Sequence, residues 1–293
     1  MEFEEIESVS IFGAGKMGHG IAQIMALQDY KVTMADVSQE FLDAGLDQLK
    51  KSLQKAVEKE IIDEECLQKA LSMVSLTTNM EEAGKSADFI VEAIPEKMEL
   101  KKDLFSKVSK VGKKDAIIAS NTSTFSITEM ASAVDNPERF VGMHYFNPVP
   151  QMKLVEVIKG LKTSDYTMDI ARKIALKLGK EPVMVKDSPG FIANRLGIAL
   201  YLEASQVLDE GVASVEDIDK TMRLGWGNRM GPFETVDLVG LDARLNNLNS
   251  LYESTGDAFW KPPELLKKLV DSGYLGNKFG SKGGYYAYFG LDK

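Results

Sequence analysis

Cysteine and histidine are scarce in this chain: Cys66 is the only cysteine, and His19 and His144 are the only histidines, among 293 residues. One cysteine excludes an intrachain disulfide, and so few soft ligands exclude a zinc site, so no metal is expected and a reducing compartment fits best. The acidic neighbours Asp63-Glu64-Glu65 disfavour a thiolate at Cys66, which reads as structural. No uncharged apolar run reaches the roughly 18 residues of a membrane helix. The start Met1-Glu2-Phe3-Glu4-Glu5 lacks the basic residues and apolar stretch of a secretory signal. A cytoplasmic location without a membrane partner is therefore expected. Positive charge is also short: 35 Lys and Arg stand against 44 Asp and Glu, a formal net charge of −9 at pH 7. That balance argues against a nucleic-acid partner. Neither G-x-x-x-x-G-K-[ST] nor G-x-S-x-G occurs, which removes P-loop phosphoryl transfer and nucleophile-elbow hydrolysis.

What is present is an ordinary globular composition, 44% hydrophobic and 27% charged, on a length that favours two domains. Val9-Ser10-Ile11-Phe12, the glycines that follow, Ile21–Leu27 and Lys31–Asp36 read as strand, turn, helix and strand, a βαβ unit over residues 8–36. From Ser38 to about Leu71 the spacing is helical and breaks near Ile62-Asp63, which predicts a projecting helical hairpin with Asp63 as a cap. Short apolar runs then alternate with helical patterns up to Pro182–Val185, the expectation for a mainly parallel, doubly wound sheet covered on both faces. Asp187-Ser188-Pro189-Gly190 breaks the pattern. The expected fold is α/β, with a Rossmann-type domain over residues 1–188 and an all-α domain over 189–293. Helices are expected over Phe191–Glu210, Val215–Leu224, Val236–Thr255 and Glu264–Ser272. The first of these carries few charges before Glu203, so its faces are buried in its own domain or against a second copy; a homodimer is the favoured reading.

Gly13-Ala14-Gly15-Lys16-Met17-Gly18 follows a strand and opens a helix. Gly13 serves the tight turn, Gly15 lets the backbone approach a pyrophosphate, and Gly18 lets helix pack on strand. Asp36 stands 18 residues after Gly18, at the end of the next strand, where a carboxylate accepts both ribose hydroxyls of a dinucleotide. It would repel a 2′-phosphate, and Val37 and Ser38 supply no cation, so NAD is expected over NADP. His19 faces either phosphate or solvent. His144 closes the apolar strand Phe140-Val141-Gly142-Met143, and is either a core histidine or a proton carrier at the edge where such sheets place ligands. Glu156 lies inside another apolar strand, where an unpaired carboxylate is costly. An imidazole would satisfy it, so a His144–Glu156 pair is predicted.

Five segments together resemble the short-chain L-3-hydroxyacyl-CoA dehydrogenase family, most closely its 3-hydroxybutyryl-CoA branch. They are Gly13–Gly18, Ser120–Ser123, His144–Pro148, Lys153–Val157 and Pro189–Arg195, followed in order by Met230-Gly231-Pro232-Phe233 and a Gly-rich tail. The resemblance implies NAD as cofactor and an acyl-CoA such as 3-hydroxybutyryl-CoA, or acetoacetyl-CoA in reverse, as substrate. His144 would be the general acid/base, Glu156 would hold its tautomer, and Ser123 and Asn194 would bind the reacting oxygen and thioester region. Glu96, Lys101, Ser123, Asn147 and Lys278 would join Gly13, Gly15, Lys16, Met17, Gly18 and Asp36 around the cofactor. The tail after Lys278 is slightly longer than the family's usual segment. Lys51, Lys55 and Lys59 recur every four residues beside Ser52; Ser52, Lys55 and Lys59 match residues that hold CoA phosphates, where a solvated helix face is the plainer reading. A dehydrogenase of a free hydroxy acid or sugar acid, and a non-catalytic NAD-binding structural protein, are the alternatives.

Overall fold

Runs rich in Val, Ile and Phe and bounded by glycine or polar turns become strands here, while longer amphipathic stretches become helices behind Ser, Asp or Asn caps. The computed structural model describes residues 2–291. They fall into two compact units divided between Ser188 and Pro189.

In the first unit the order is β1 (Ser8–Phe12), α1 (Gly18–Ala26), β2 (Lys31–Ala35), α2 (Gln39–Glu58), α3 (Glu64–Ser72), β3 (Val74–Thr77), α4 (Met80–Ser86) and β4 (Phe89–Glu92). There follow α5 (Met98–Val111), β5 (Ile117–Ser120), α6 (Ile127–Met130), β6 (Phe140–Tyr145), β7 (Leu154–Lys159), α7 (Asp165–Lys177) and β8 (Glu181–Lys186). Among the described residues eight strands form one sheet in the order β3-β2-β1-β4-β5-β6-β7-β8. Neighbours are parallel except β6 and β7, which run antiparallel. This is the doubly wound Rossmann-type sheet that the sequence predicts.

Strands β4, β5 and β6 are buried along their whole length, as expected of a sheet with helices on both faces. On one face, Phe89 and Val91 of β4, Ile117 and Ala119 of β5 and Val141 and Met143 of β6 share a core with Ile21 and Met25 of α1 and Ile170 and Ile174 of α7. The hairpin is not free-standing: Leu42, Leu49 and Leu53 of α2 and Leu67 and Ala70 of α3 lie in that same core. Ser38 caps α2 by accepting from the Phe41 N–H at 3.3 Å, and Asp63 caps α3 by accepting from Cys66 at 2.7 Å. Cys66 itself is exposed, and its hydrogen bond with Asp63 pushes the thiol above its ordinary pKa. Helix α4, absent from the sequence reading, starts at the Asn79 cap.

The second unit contains α8 (Ala193–Asp209), α9 (Val215–Trp226), α10 (Pro232–Val239), α11 (Leu241–Thr255), α12 (Glu264–Asp271) and α13 (Tyr285–Tyr288). The expected single helix over Val236–Thr255 is two. Gly240, at φ 111°, ends α10 and starts α11 in a conformation closed to a helix interior, while the apolar spacing runs on across the break. Two buried acids organise this unit. Asp219 accepts from the Phe233 and Glu234 N–H groups at 2.9 and 2.8 Å and from the Tyr286 hydroxyl at 3.0 Å, which fixes the start of α10. Burial raises its pKa against those three hydrogen bonds. Asp237 does the same for α13 through Tyr285 and Tyr286. A Cβ on Gly231 would run into Asp219, and one on Gly284 into Asp237. The glycines of both C-terminal motifs therefore make room for a capping carboxylate.

Candidate active site

The β1–α1 turn carries Gly13, Gly15, Lys16, Met17 and Gly18. Gly13 has φ 101°, and a Cβ there would lie 2.6 Å from the Ala93 carbonyl oxygen; a Cβ on Gly18 would overlap the Gly13 carbonyl. Gly15 is the contrast, for nothing lies within 4 Å of its hypothetical Cβ. Two glycines thus serve the fold, and the third faces open space before a helix N-terminus, where a phosphate fits. His19 is half-buried against this turn, its Nδ1 2.9 Å from the Gly15 carbonyl oxygen; burial lowers its pKa, which that hydrogen bond partly offsets.

Asp36, just past β2, accepts from the Ala14 N–H and the Val37 N–H, each at 2.7 Å. Its carboxylate is therefore held beside the turn. Val37 is exposed, and the Ser38 hydroxyl is engaged in capping α2, so neither contributes a cation. The open Gly15 approach and the anchored Asp36 fit a dinucleotide with a free 2′-hydroxyl.

At the same edge of the sheet, Glu92 ends β4, Ser120 ends β5, and the two are register partners. Lys101 is 1% exposed, and its Nζ lies 2.5 Å from Glu92 and 2.9 Å from Glu96. It is no solvated surface lysine. Glu96 also accepts from the Thr122 hydroxyl at 2.6 Å, the Ser123 N–H at 3.0 Å and the Thr124 hydroxyl at 3.2 Å. Burial works to raise the Glu96 pKa, but the Lys101 charge and the hydrogen bonds from Thr122, Lys101 and Ser123 outweigh it and hold the carboxyl below its ordinary value. Every residue of Ser120-Asn121-Thr122-Ser123 thus has a structural task. Ser120 donates to Glu92 at 2.6 Å, the Asn121 Oδ1 accepts from the Tyr145 N–H at 2.9 Å, and Thr122 and Ser123 engage Glu96.

His144 and Glu156 face each other across the β6–β7 pair. The His144 Nδ1 lies 2.7 Å from Glu156 Oε2, and the two residues are 6% and 1% exposed. A carboxylate accepts only, so Nδ1 carries the hydrogen and Nε2 is the ring's basic nitrogen. Phe146 packs on the imidazole with ring centroids 4.4 Å apart. Asn147 follows, exposed, on a loop held down by Lys180, a buried lysine that donates to the Val149 and Met152 carbonyls at 2.6 and 2.8 Å. Burial lowers the Lys180 pKa.

The structure therefore brings together three groups of predicted residues: the glycine turn with Asp36, Glu96 with Lys101 and Ser123, and His144 with Glu156. Asn147 follows β6 on its exposed loop, and the other predicted residues sit on segments of their own. Ser52 is half-buried and Lys55 exposed near the end of α2, and exposed Lys59 caps that helix. Asn194 lies in the first turn of α8 in the second unit, where Lys278 is ion-paired with Asp242. Sequence reasoning missed Glu92 and Lys180, and gave Asn121 no role of its own within the Ser120–Ser123 segment. Glu92 had a readable signal, an acid closing the apolar run Phe89-Ile90-Val91, the same signal that singled out Glu156.

A model of the family described as "3-hydroxyacyl-CoA dehydrogenase, NAD binding domain" matches residues 8–188, and one described as "3-hydroxyacyl-CoA dehydrogenase, C-terminal domain" matches residues 190–288. The 3-hydroxybutyryl-CoA dehydrogenase of Bradyrhizobium diazoefficiens is 40% identical over 285 residues, covering 97% of this chain and 96% of that protein. The enzyme of that name from Clostridioides difficile is 42% identical over 280 residues, covering 96% and 99%. The crystal structure of (S)-3-hydroxybutyryl-CoA dehydrogenase PaaH1 from Ralstonia eutropha matches with a TM-score of 0.92 at 39% identity, covering 99% of this chain and 100% of that one.

Proposed function

On the premise that the chain belongs to the 3-hydroxyacyl-CoA dehydrogenase family of NAD-dependent oxidoreductases, we propose that it oxidises (S)-3-hydroxybutyryl-CoA to acetoacetyl-CoA and catalyses the reverse reaction. The buried His144–Glu156 pair at the sheet edge carries this reading. His144 Nε2 takes the proton of the 3-hydroxyl in the oxidative direction and returns it in the reductive one. Glu156 fixes the tautomer and stabilises the imidazolium as it forms. NAD, when bound, supplies the hydride acceptor.

By the family resemblance, Ser123 and Asn194 bind the reacting oxygen and the thioester region of the substrate. Gly13, Gly15, Lys16, Met17, Gly18 and Asp36 seat the adenosine and pyrophosphate, while Glu96, Lys101, Asn147 and Lys278 serve the nicotinamide side. Lys278 would have to exchange its Asp242 partner for that role. Ser52, Lys55 and Lys59 take the CoA phosphates, each lysine as a point charge. No helix among the described residues is long and apolar enough to cross a membrane. A homodimer through the second unit is supported by Leu196, Leu224 and Trp226, which are 68%, 77% and 78% exposed. Sedimentation as a monomer at micromolar concentration would remove that part of the proposal.

The test is NADH consumption with acetoacetyl-CoA against free acetoacetate and a sugar acid. Turnover confined to the thioester is expected; preference for a free acid would overturn the substrate assignment.

A further inference from the structure

Glu92 stands apart from the residues assigned above, because it is 0% exposed and both of its carboxylate oxygens are already engaged. Oε1 accepts from the Lys101 ammonium at 2.5 Å and from the Ile94 N–H at 2.8 Å, and Oε2 accepts from the Ser120 hydroxyl at 2.6 Å. Its backbone carbonyl accepts from the Asn121 N–H at 2.9 Å. One residue thus ties together the segment after β4 that leads to Glu96, the helix that carries Lys101, and the Ser120–Ser123 segment. So enclosed a group cannot touch a ligand. It can act only through the groups it holds.

Lys101 is the one with most to lose. Its ammonium lies between Glu92 and Glu96, and the buried carboxylate is the partner that fixes the ammonium from within the protein. Glu96, partly exposed, is the partner on the solvent side. A charged hydrogen bond in a buried setting is directional and short, so it fixes the position of the ammonium far better than solvent would.

We propose that Glu92 is a positioning residue for the cofactor side of the site, holding Lys101 against Glu96 in the arrangement that receives the nicotinamide half of NAD. This rests on the dehydrogenase reading above. Glu92→Gln keeps the size and an acceptor but removes the charge that fixes Lys101. By the usual magnitude of a lost charge-assisted hydrogen bond, the Kd for NADH should rise about tenfold. The kcat at saturating NADH should change much less.

NADH titration followed by fluorescence, on the full-length protein, reads this without turnover. The decisive comparison is with Lys101→Met and with the double variant. If Glu92 works through Lys101, adding Glu92→Gln to Lys101→Met costs no further affinity. Ser120→Ala, which removes the donor to Oε2 together with the acceptor of the Thr122 N–H, should weaken NADH in the same direction by a smaller factor, and it carries the test should Glu92→Gln fail to fold. A Glu92→Gln protein with a lower Tm but the wild-type NADH Kd would overturn the proposal, as would additive losses in the double variant. Failure of the wild-type protein to bind NADH would instead sink the dehydrogenase reading itself.

Discussion

Glu156 lies directly opposite His144 on the antiparallel rung of β6 and β7, with its carboxylate on the ring's Nδ1. The backbone register, rather than side-chain flexibility, sets this pairing, so the imidazole is oriented before any ligand arrives. Glu156→Gln preserves the shape but allows the other tautomer and leaves the imidazolium without its counter-charge. We expect kcat for acetoacetyl-CoA reduction to fall roughly 10²-fold with NADH affinity unchanged, measured by steady-state kinetics alongside NADH titration.

Gly15 and Gly18 should respond in opposite ways to the same methyl group. Gly18→Ala places a Cβ on the Gly13 carbonyl, so the turn must shift and the melting temperature should drop by several degrees, on the order of a 1–3 kcal/mol overpacking penalty. Gly15→Ala meets no protein atom within 4 Å, so it should melt as the wild type does while losing NADH affinity. Equal melting points for the two variants, or undiminished NADH binding by Gly15→Ala, would contradict this division of labour.

The cofactor preference follows from Asp36, held beside the turn by Ala14 and Val37 with no cation at Val37 or Ser38. A 2′-phosphate would meet like charge, a juxtaposition that costs several kcal/mol at close range. The kcat/KM with NADH should exceed that with NADPH by roughly tenfold or more on those grounds. Equal efficiencies would count against the assignment.

Asp88 joins the starts of β1 and β4 by accepting from the Glu7 and Ser8 N–H groups, the Ser8 hydroxyl and the Lys113 ammonium. Burial works to raise its pKa, but Lys113, Ser8 and Glu7 together hold it below the ordinary carboxylate value. A carboxylate depressed in the folded state contributes stability above its unfolded pKa and loses it as pH falls through the folded pKa. The Tm gap between wild type and Asp88→Asn should therefore be full at pH 7 and shrink below about pH 4. A gap that is constant from pH 7 to pH 3 would contradict the ionised assignment.

What was readable in the sequence was whatever depends on short spacing. The glycine turn, the Asp63 break in the hairpin, the alternation of strands and helices, and the acid stranded in Leu154-Val155-Glu156-Val157 all carry their reason locally. The division at Gly240 did not, because apolar spacing continues from Val236 to Thr255 and only the backbone angle reveals the stop. Lys180 was unreadable for a different reason: a lysine whose acceptors are the carbonyls of Val149 and Met152, some 30 residues earlier, leaves no mark near itself. The roles of Ser120 and Asn121 likewise depend on which strands lie side by side, with Glu92 beside Ser120 and Tyr145 beyond them.

The central claim is that His144 moves the substrate proton, and His144→Ala with acetoacetyl-CoA tests it most directly. General acid/base groups contribute roughly 10²–10⁴-fold. The variant should lose about that much kcat and bind NADH as the wild type does. Wild-type turnover of acetoacetyl-CoA by a correctly folded His144→Ala protein would contradict the account.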